Sequence, residues 1–201
     1  MDFSKERERL NEILLSNIDI RSKKNEILEI IPELRVCVNY AQNHPAHIYN
    51  VFDHILETTN KVNPYLILKL SALLHDIGKP YKVVNVDGVD RFWGHEETGA
   101  DISHHVLTRL GYDEEVITKV FTMIKYHDHK TVAIIEGVEE TVNLVGNDLV
   151  PYLFQLQIAD LLSHSEKYYK VLLPKLNAAI KIYEDNKICK IKKDIKIGIK
   201  N

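Results

Sequence analysis

Cysteine is scarce: the 201 residues hold only Cys37 and Cys189, far apart and without a metal-type or redox spacing. A disulfide framework and a cysteine-based zinc site are therefore not what organises this chain, and both thiols read as ordinary ones. Long apolar runs are missing as well. The first residues, MDFSKERERLNEILL, are charged from the start, and no stretch reaches the length of a signal-peptide core or a membrane span. A cytoplasmic protein without a membrane partner is the expectation. Linkers, low-complexity tracts and internal repeats are absent too. A surplus of positive charge is also lacking, because the net charge is −3 at pH 7, which argues against a whole surface built to grip a phosphate backbone. One local basic patch, NKICKIKKDIKIGIK, stands near the C-terminus and could contact RNA.

What is present is the balance of an ordinary globular protein, with 45% hydrophobic and 27% charged residues, long enough for one substantial core. Helix-period patterns dominate, over roughly residues 5–15, 23–30, 33–42, 47–61, 65–77, 95–110, 113–127, 148–165 and 167–184. Pro32, Gly78 and Pro80 punctuate helix ends, Asp113 reads as an N-cap, and Pro174 is expected to kink or restart the last helix. The stretch YKVVNVDGVDRFWG, with Asp87-Gly88 between two β-prone runs, predicts a small hairpin near residues 81–93. The tail DIKIGIK alternates apolar and basic residues and reads as a short strand or an extended strap.

Ten histidines are unusual only if some face inward. PYLILKLSALLHDIG is apolar nearly all round, the mark of a buried central helix, so His75 and Asp76 fall near its inner end. A buried carboxylate needs a partner or a metal. His127 continues the face of Val116, Val120 and Met123; Asp160 ends a stripe of Leu149, Leu153 and Leu156; His95 shares a face with Gly99, Ile102 and Val106. His54 lies deep in its helical pattern, His47 two turns before it, while His104 falls on the opposite side of its helix. Six inward groups, His54, His75, Asp76, His95, His127 and Asp160, point together to a metal site. Nitrogen and carboxylate donors suit Mn, Fe, Co, Ni or Zn, and the carboxylates admit Mg.

This constellation resembles the HD-domain metal-dependent phosphohydrolase superfamily, an all-α helical fold. The resemblance is closest to the C-terminal HD domain of bacterial CCA-adding tRNA nucleotidyltransferases, through QNHPAHIYNVFDHILET, LSALLHDIGKP, FWGHEETGA and IADLLSHS. Their Gly-Ser and Asp-x-Asp nucleotidyltransferase motifs have no match here, and Ala46 replaces a histidine that many relatives carry. The resemblance implies an HD-domain helical bundle over residues 1–201, with a helical extension at 1–42, a core at 43–184 and a basic tail at 185–201. It implies that His54, His75, Asp76 and Asp160 hold one divalent ion, with His95 and His127 available for a second that Asp76 bridges. Asp76 and Lys79 are the expected catalytic pair, and His47, Lys79, Lys125 and His164 the expected substrate contacts. The implied activity is hydrolysis of nucleotide or RNA-end phosphoesters, either 2′,3′-cyclic phosphodiesters or phosphomonoesters. Two competing readings are a catalytically silent nucleotide- or RNA-binding module and a di-iron oxygenase.

Overall fold

The computed structural model describes residues 2–186. Helices α1 (Ser4–Leu15) and α2 (Lys24–Ile30) lead into α3 (Val51–Lys61) and α4 (Leu66–Leu74). A hairpin of β1 (Val84–Val86) and β2 (Val89–Arg91) follows, then α5 (His95–Arg109) and α6 (Glu114–Lys125). The described chain ends with α7 (Ile135–Val145), α8 (Val150–Leu161) and α9 (Glu166–Asp185). The fold is all-α apart from the hairpin, as expected. The strap expected at DIKIGIK, together with Cys189, lies outside the described residues.

Local chemistry explains most boundaries. Asn50 caps α3, its side chain accepting a hydrogen bond from the Asp53 amide at 2.9 Å, so the helix begins at Val51 rather than near residue 47. Asp113 does occupy the N-cap position of α6, but its side chain makes no capping bond. The helix expected over 33–42 shrinks to a 3₁₀ segment, Pro32–Cys37, because Asn39 turns left-handed at φ 57°. Pro174 does not restart its helix: it sits on an exposed position inside α9, which continues through it. Helix α7 was not expected from the sequence. It contains Gly137, a weak helix former, yet a Cβ there would fall 2.5 Å from the Val132 carbonyl oxygen, so packing requires the glycine. In the hairpin, Val84 pairs with Arg91 and Val86 with Val89, and the turn residues Asp87 and Gly88 adopt positive φ.

Two apolar clusters share α4. Leu70, Leu73, Leu74 and Ile77 pack into a cluster with α1, α3, α5 and α6. Leu68 and Ala72, on its other side, join Leu153, Leu156 and Tyr183 of α8 and α9. This double burial is what an all-round apolar helix requires. Each fully buried leucine contributes roughly 1.5–3 kcal/mol, enough collectively to fix α4 although polar groups follow directly at its C-terminal end. Those groups, His75 and Asp76, consequently emerge at the seam between the two clusters.

Candidate metal centre

The turn after α4 meets the first turn of α5 at backbone distance. Gly78 makes this possible, since a Cβ at that position would lie 2.1 Å from the His95 carbonyl oxygen and 2.7 Å from the Gly99 amide nitrogen. Its φ of −77° is ordinary, so the requirement is for space alone. Through this approach His95 Nε2 comes to 3.2 Å from Asp76 Oδ1.

Asp76 stands at the middle with its two oxygens divided between two sets of ligands. Oδ2 faces His54 Nε2 at 3.4 Å and His75 Nε2 at 3.3 Å. Oδ1 faces His95 Nε2 at 3.2 Å and His127 Nε2 at 3.6 Å. Asp160 Oδ1 completes the first set, 2.8 Å from His54 Nε2 and 3.6 Å from His75 Nε2. Three overlapping groups could therefore hold a metal ion: His54, His75 and Asp76; Asp76, His95 and His127; and His54, Asp160 and His164.

The histidine tautomers test whether these side chains suit a metal. His75, His95 and His127 each place Nδ1 2.7–2.8 Å from the carbonyl oxygen three residues earlier, of Ala72, Phe92 and Ile124 respectively. A carbonyl only accepts, so each Nδ1 carries the proton and each neutral ring turns a lone pair on Nε2 toward the centre. The Nε2 atoms of His95 and His127 then face one another at 3.2 Å, and in the neutral tautomer two lone pairs at that distance call for a cation between them. His54 Nε2 stands 3.4 Å from His75 Nε2 and 2.8 Å from Asp160 Oδ1. Asp76 Oδ2 is buried and makes no directional hydrogen bond, although Lys79 Nζ lies 2.7 Å away. The donor set fits one or two divalent ions.

Charge balance in the metal-free protein points the same way. Burial opposes the imidazolium of His75, but Asp76 and Asp160 outweigh it and raise the pKa to about 10. Burial likewise opposes a charged His95, yet hydrogen bonds to Asp76 and Glu96 carry its pKa up to about 9. His54 goes the other way, its burial holding the ring neutral in spite of Asp160. Burial opposes both carboxylates as well, but their neighbours prevail: the charges of His75 and Lys79 hold Asp76, and the field of His164 with hydrogen bonds from His54 and His75 holds Asp160, well below the usual carboxylate range. Protons thus supply positive charge where a divalent ion would supply it.

A cleft of about 410 Å³ opens above the centre. Lys79 reaches it from beneath, only 6% exposed, donating to Gln42 Oε1 at 3.0 Å with its ammonium 5.4 Å from the Phe92 ring centroid. His47 and His164 line the cleft with ring centroids 4.6 Å apart. Lys125 lines neither this cleft nor the cavity beside it; its ammonium lies 5.9 Å from the Tyr126 ring centroid, and Lys130 takes the place expected for it. Arg91, Trp93 and Tyr168 also line the cleft and were not anticipated. Arg91 is brought there by its neighbour Asp90, whose amide donates to the Asn43 carbonyl at 2.9 Å and whose Oδ2 accepts from the Asn43 amide at 3.0 Å. No periodicity in the hairpin sequence signals that tether.

A bundle whose central helix delivers His-Asp to a seam shared by His54, His95, His127 and Asp160 defines a class. The HD domain family model matches residues 46–165, more than half of the chain, and the protein belongs to the HD domain family. Among similar proteins, the A-adding tRNA nucleotidyltransferase of Deinococcus radiodurans is 29% identical over 137 residues, covering 65% of this chain and 31% of that enzyme. The CC-adding tRNA nucleotidyltransferase of Thermus thermophilus is 29% identical over 140 residues, covering 66% and 32%. The bifunctional uridylyltransferase/uridylyl-removing enzyme of Streptomyces coelicolor is 28% identical over 93 residues, covering 43% and 10%. The chain thus spans about a third of the length of the two nucleotidyltransferases. No helix among the described residues is long and apolar enough to cross a membrane.

Proposed function

We propose that the protein is a metal-dependent phosphohydrolase acting on nucleotide or RNA-end phosphoesters, either 2′,3′-cyclic phosphodiesters or phosphomonoesters. The observation that carries this reading is the division of Asp76 between two histidine sets, an arrangement suited to a carboxylate that bridges two ions. His54, His75, Asp76 and Asp160 would hold one ion, and Asp76, His95 and His127 a second. When bound, such ions polarise a phosphoryl oxygen and make bound water acidic enough to be a nucleophile.

The remaining work falls to side chains. Lys79 neutralises Asp76 Oδ2 and fixes its orientation, and at the cleft wall it offers charge to a phosphoryl oxygen. Arg91 and Lys130 add positive charge at the cleft, attracting an anionic substrate and orienting it. His47 and His164 form the wall next to Asp160. The nucleotide chemistry in the names of the similar tRNA enzymes supports the substrate class. In this reading residues 1–42 are a helical extension packed on a core formed by residues 43–184.

The test is hydrolysis of 2′,3′-cyclic AMP and 3′-AMP with Mn, Ni, Mg or Zn supplied in turn, wild type beside Asp76→Ala. Metal-stimulated activity in wild type alone is expected. Equal activity in both proteins would sink the proposal, as would inactivity of the metal-loaded wild type on both esters. Iron-dependent oxygen consumption without phosphate release would assign the same ligands to a di-iron oxygenase.

A further inference from the structure

A second cavity, of about 320 Å³, adjoins the metal centre between α9 and the turn that follows α6. It shares His127, Asp128, Lys130, Asp160, His164 and Tyr168 with the cleft described above, so the two are continuous over Asp160. Its far wall differs in chemistry. Leu161 of α8 and Leu172 and Leu176 of α9 present apolar surface, and Tyr168 lies tilted by 32° against the His164 ring with centroids 5.1 Å apart. Lys130 and Lys175 add positive charge to the same wall. The cleft arm is instead lined by His44, Asp90, Arg91 and Glu96 beside the Phe92 and Trp93 rings, a mostly charged or polar set without aliphatic leucine surface.

We infer that this cavity is the subsite for the organic group of the substrate, and that it takes a planar heteroaromatic ring, the nucleobase of a nucleotidyl phosphoester. The inference rests on the proposed phosphohydrolase reading. An apolar wall with aromatic rings, opening directly onto a phosphate-handling centre, suits a group that is flat and apolar on its faces and joined to an anion. A sugar, polar over most of its surface, would leave the leucines without an apolar partner, and an alkyl chain would cover the leucines but offer the tyrosine ring no flat face. Lysines beside apolar side chains match the polarity of a nucleotide, whose base is uncharged and whose phosphate is anionic. The volume accommodates such a ring system. Tyr168, Leu172, Lys175 and Leu176 also lie beyond residues 46–165, so this selectivity belongs to α9 rather than to the part of the chain that defines the family.

Equilibrium binding to the metal-loaded protein tests this without requiring turnover. Adenosine and ribose are titrated calorimetrically into wild type, Leu172→Glu, Tyr168→Leu and Val171→Glu. Val171 is 59% exposed and does not line the cavity, so it controls for a charge added to α9. Adenosine should bind wild type and Val171→Glu at least tenfold tighter than ribose does, and Leu172→Glu should lose at least tenfold of that affinity. If Leu172→Glu fails to fold, Tyr168→Leu, which adds no charge, should show a loss in the same direction. Adenosine binding no tighter than ribose, or an unchanged affinity in the folded cavity variants, would overturn the inference. Phosphoester hydrolysis without adenosine selectivity would discard the subsite and keep the phosphohydrolase; selective adenosine binding without any hydrolysis would do the reverse.

Discussion

Replacing Gly78 by alanine isolates the role of the backbone approach that assembles the centre. The added Cβ would meet the His95 carbonyl oxygen at 2.1 Å, whereas carbon and oxygen normally touch at roughly 3.2 Å, so the two segments must part by about 1 Å. Both are backbone, and neither can rotate away as a side chain would. Overpacking of this kind costs about 1–3 kcal/mol, or about 2–12 °C in melting temperature for a chain of this size. The displaced carbonyl belongs to His95 itself, whose Nε2 stands 3.2 Å from Asp76 Oδ1. Metal affinity should therefore fall about 10–100-fold, the range seen when the support of a ligand is disturbed. Gly99→Ala serves as the comparison. Its Cβ would come only to 3.3 Å from the His75 carbonyl oxygen, and alanine gains about 1 kcal/mol over glycine within a helix, so its stability should change by less than about 1 kcal/mol. Thermal denaturation and metal titration of both variants decide the matter. A Gly78→Ala protein with wild-type stability and affinity would refute the reasoning, and so would equal damage from Gly99→Ala.

Metal binding at pH 7 should release about two protons, because His75 and His95, with pKa values raised to about 10 and about 9, are protonated without metal and must be neutral to ligate. Calorimetry in buffers of different ionisation enthalpy measures this, and the release should vanish as pH rises through those values; none at pH 7 would contradict the charge balance described. Gln157→Glu should lower the melting temperature by several degrees and weaken the ion nearer His127. Gln157 Nε2 donates to the His127 and His129 carbonyls at 3.1 and 2.8 Å, and a carboxylate there would set oxygen against oxygen; an unchanged metal stoichiometry and melting point would count against this clamp. Lys69 is buried with its ammonium on the Thr59 carbonyl at 2.7 Å, and burial depresses its pKa. The unfolded state then binds more protons below about pH 10.4, so wild-type stability should rise with pH toward that value relative to Lys69→Met; a stability difference independent of pH from 8 to 10 would exclude it.

The sequence carries the centre where a periodic face points inward. The all-round apolarity of α4 places His75 and Asp76 at depth, and the leucine stripe of α8 does the same for Asp160, because burial of those faces leaves no freedom in where the following polar residue goes. Lys125 shows the limit of that reasoning. It is the last residue of α6, and the turn at 126–129 redirects the chain so that Lys130 rather than Lys125 lines the cleft. Arg91 and Tyr168 were invisible for a related reason: one depends on the tether of Asp90 to Asn43, the other on how α9 leaves α8, and neither relation repeats along the chain. Helix α7 escaped notice because Gly137 weakens its local preference, while the need for that glycine arises only from packing on Val132.

His54 and Asp160 touch at 2.8 Å across 106 positions of chain, and the remaining four ligands come from three further places between them. Closing so many long loops is a late event, so the centre cannot form until most of the native topology has formed. A divalent ion should act as a latch on the finished structure rather than as a seed for it. In a chevron analysis it would depress the unfolding limb and leave the folding limb almost where it was; a folding limb accelerated by metal would show that the ligands gather early.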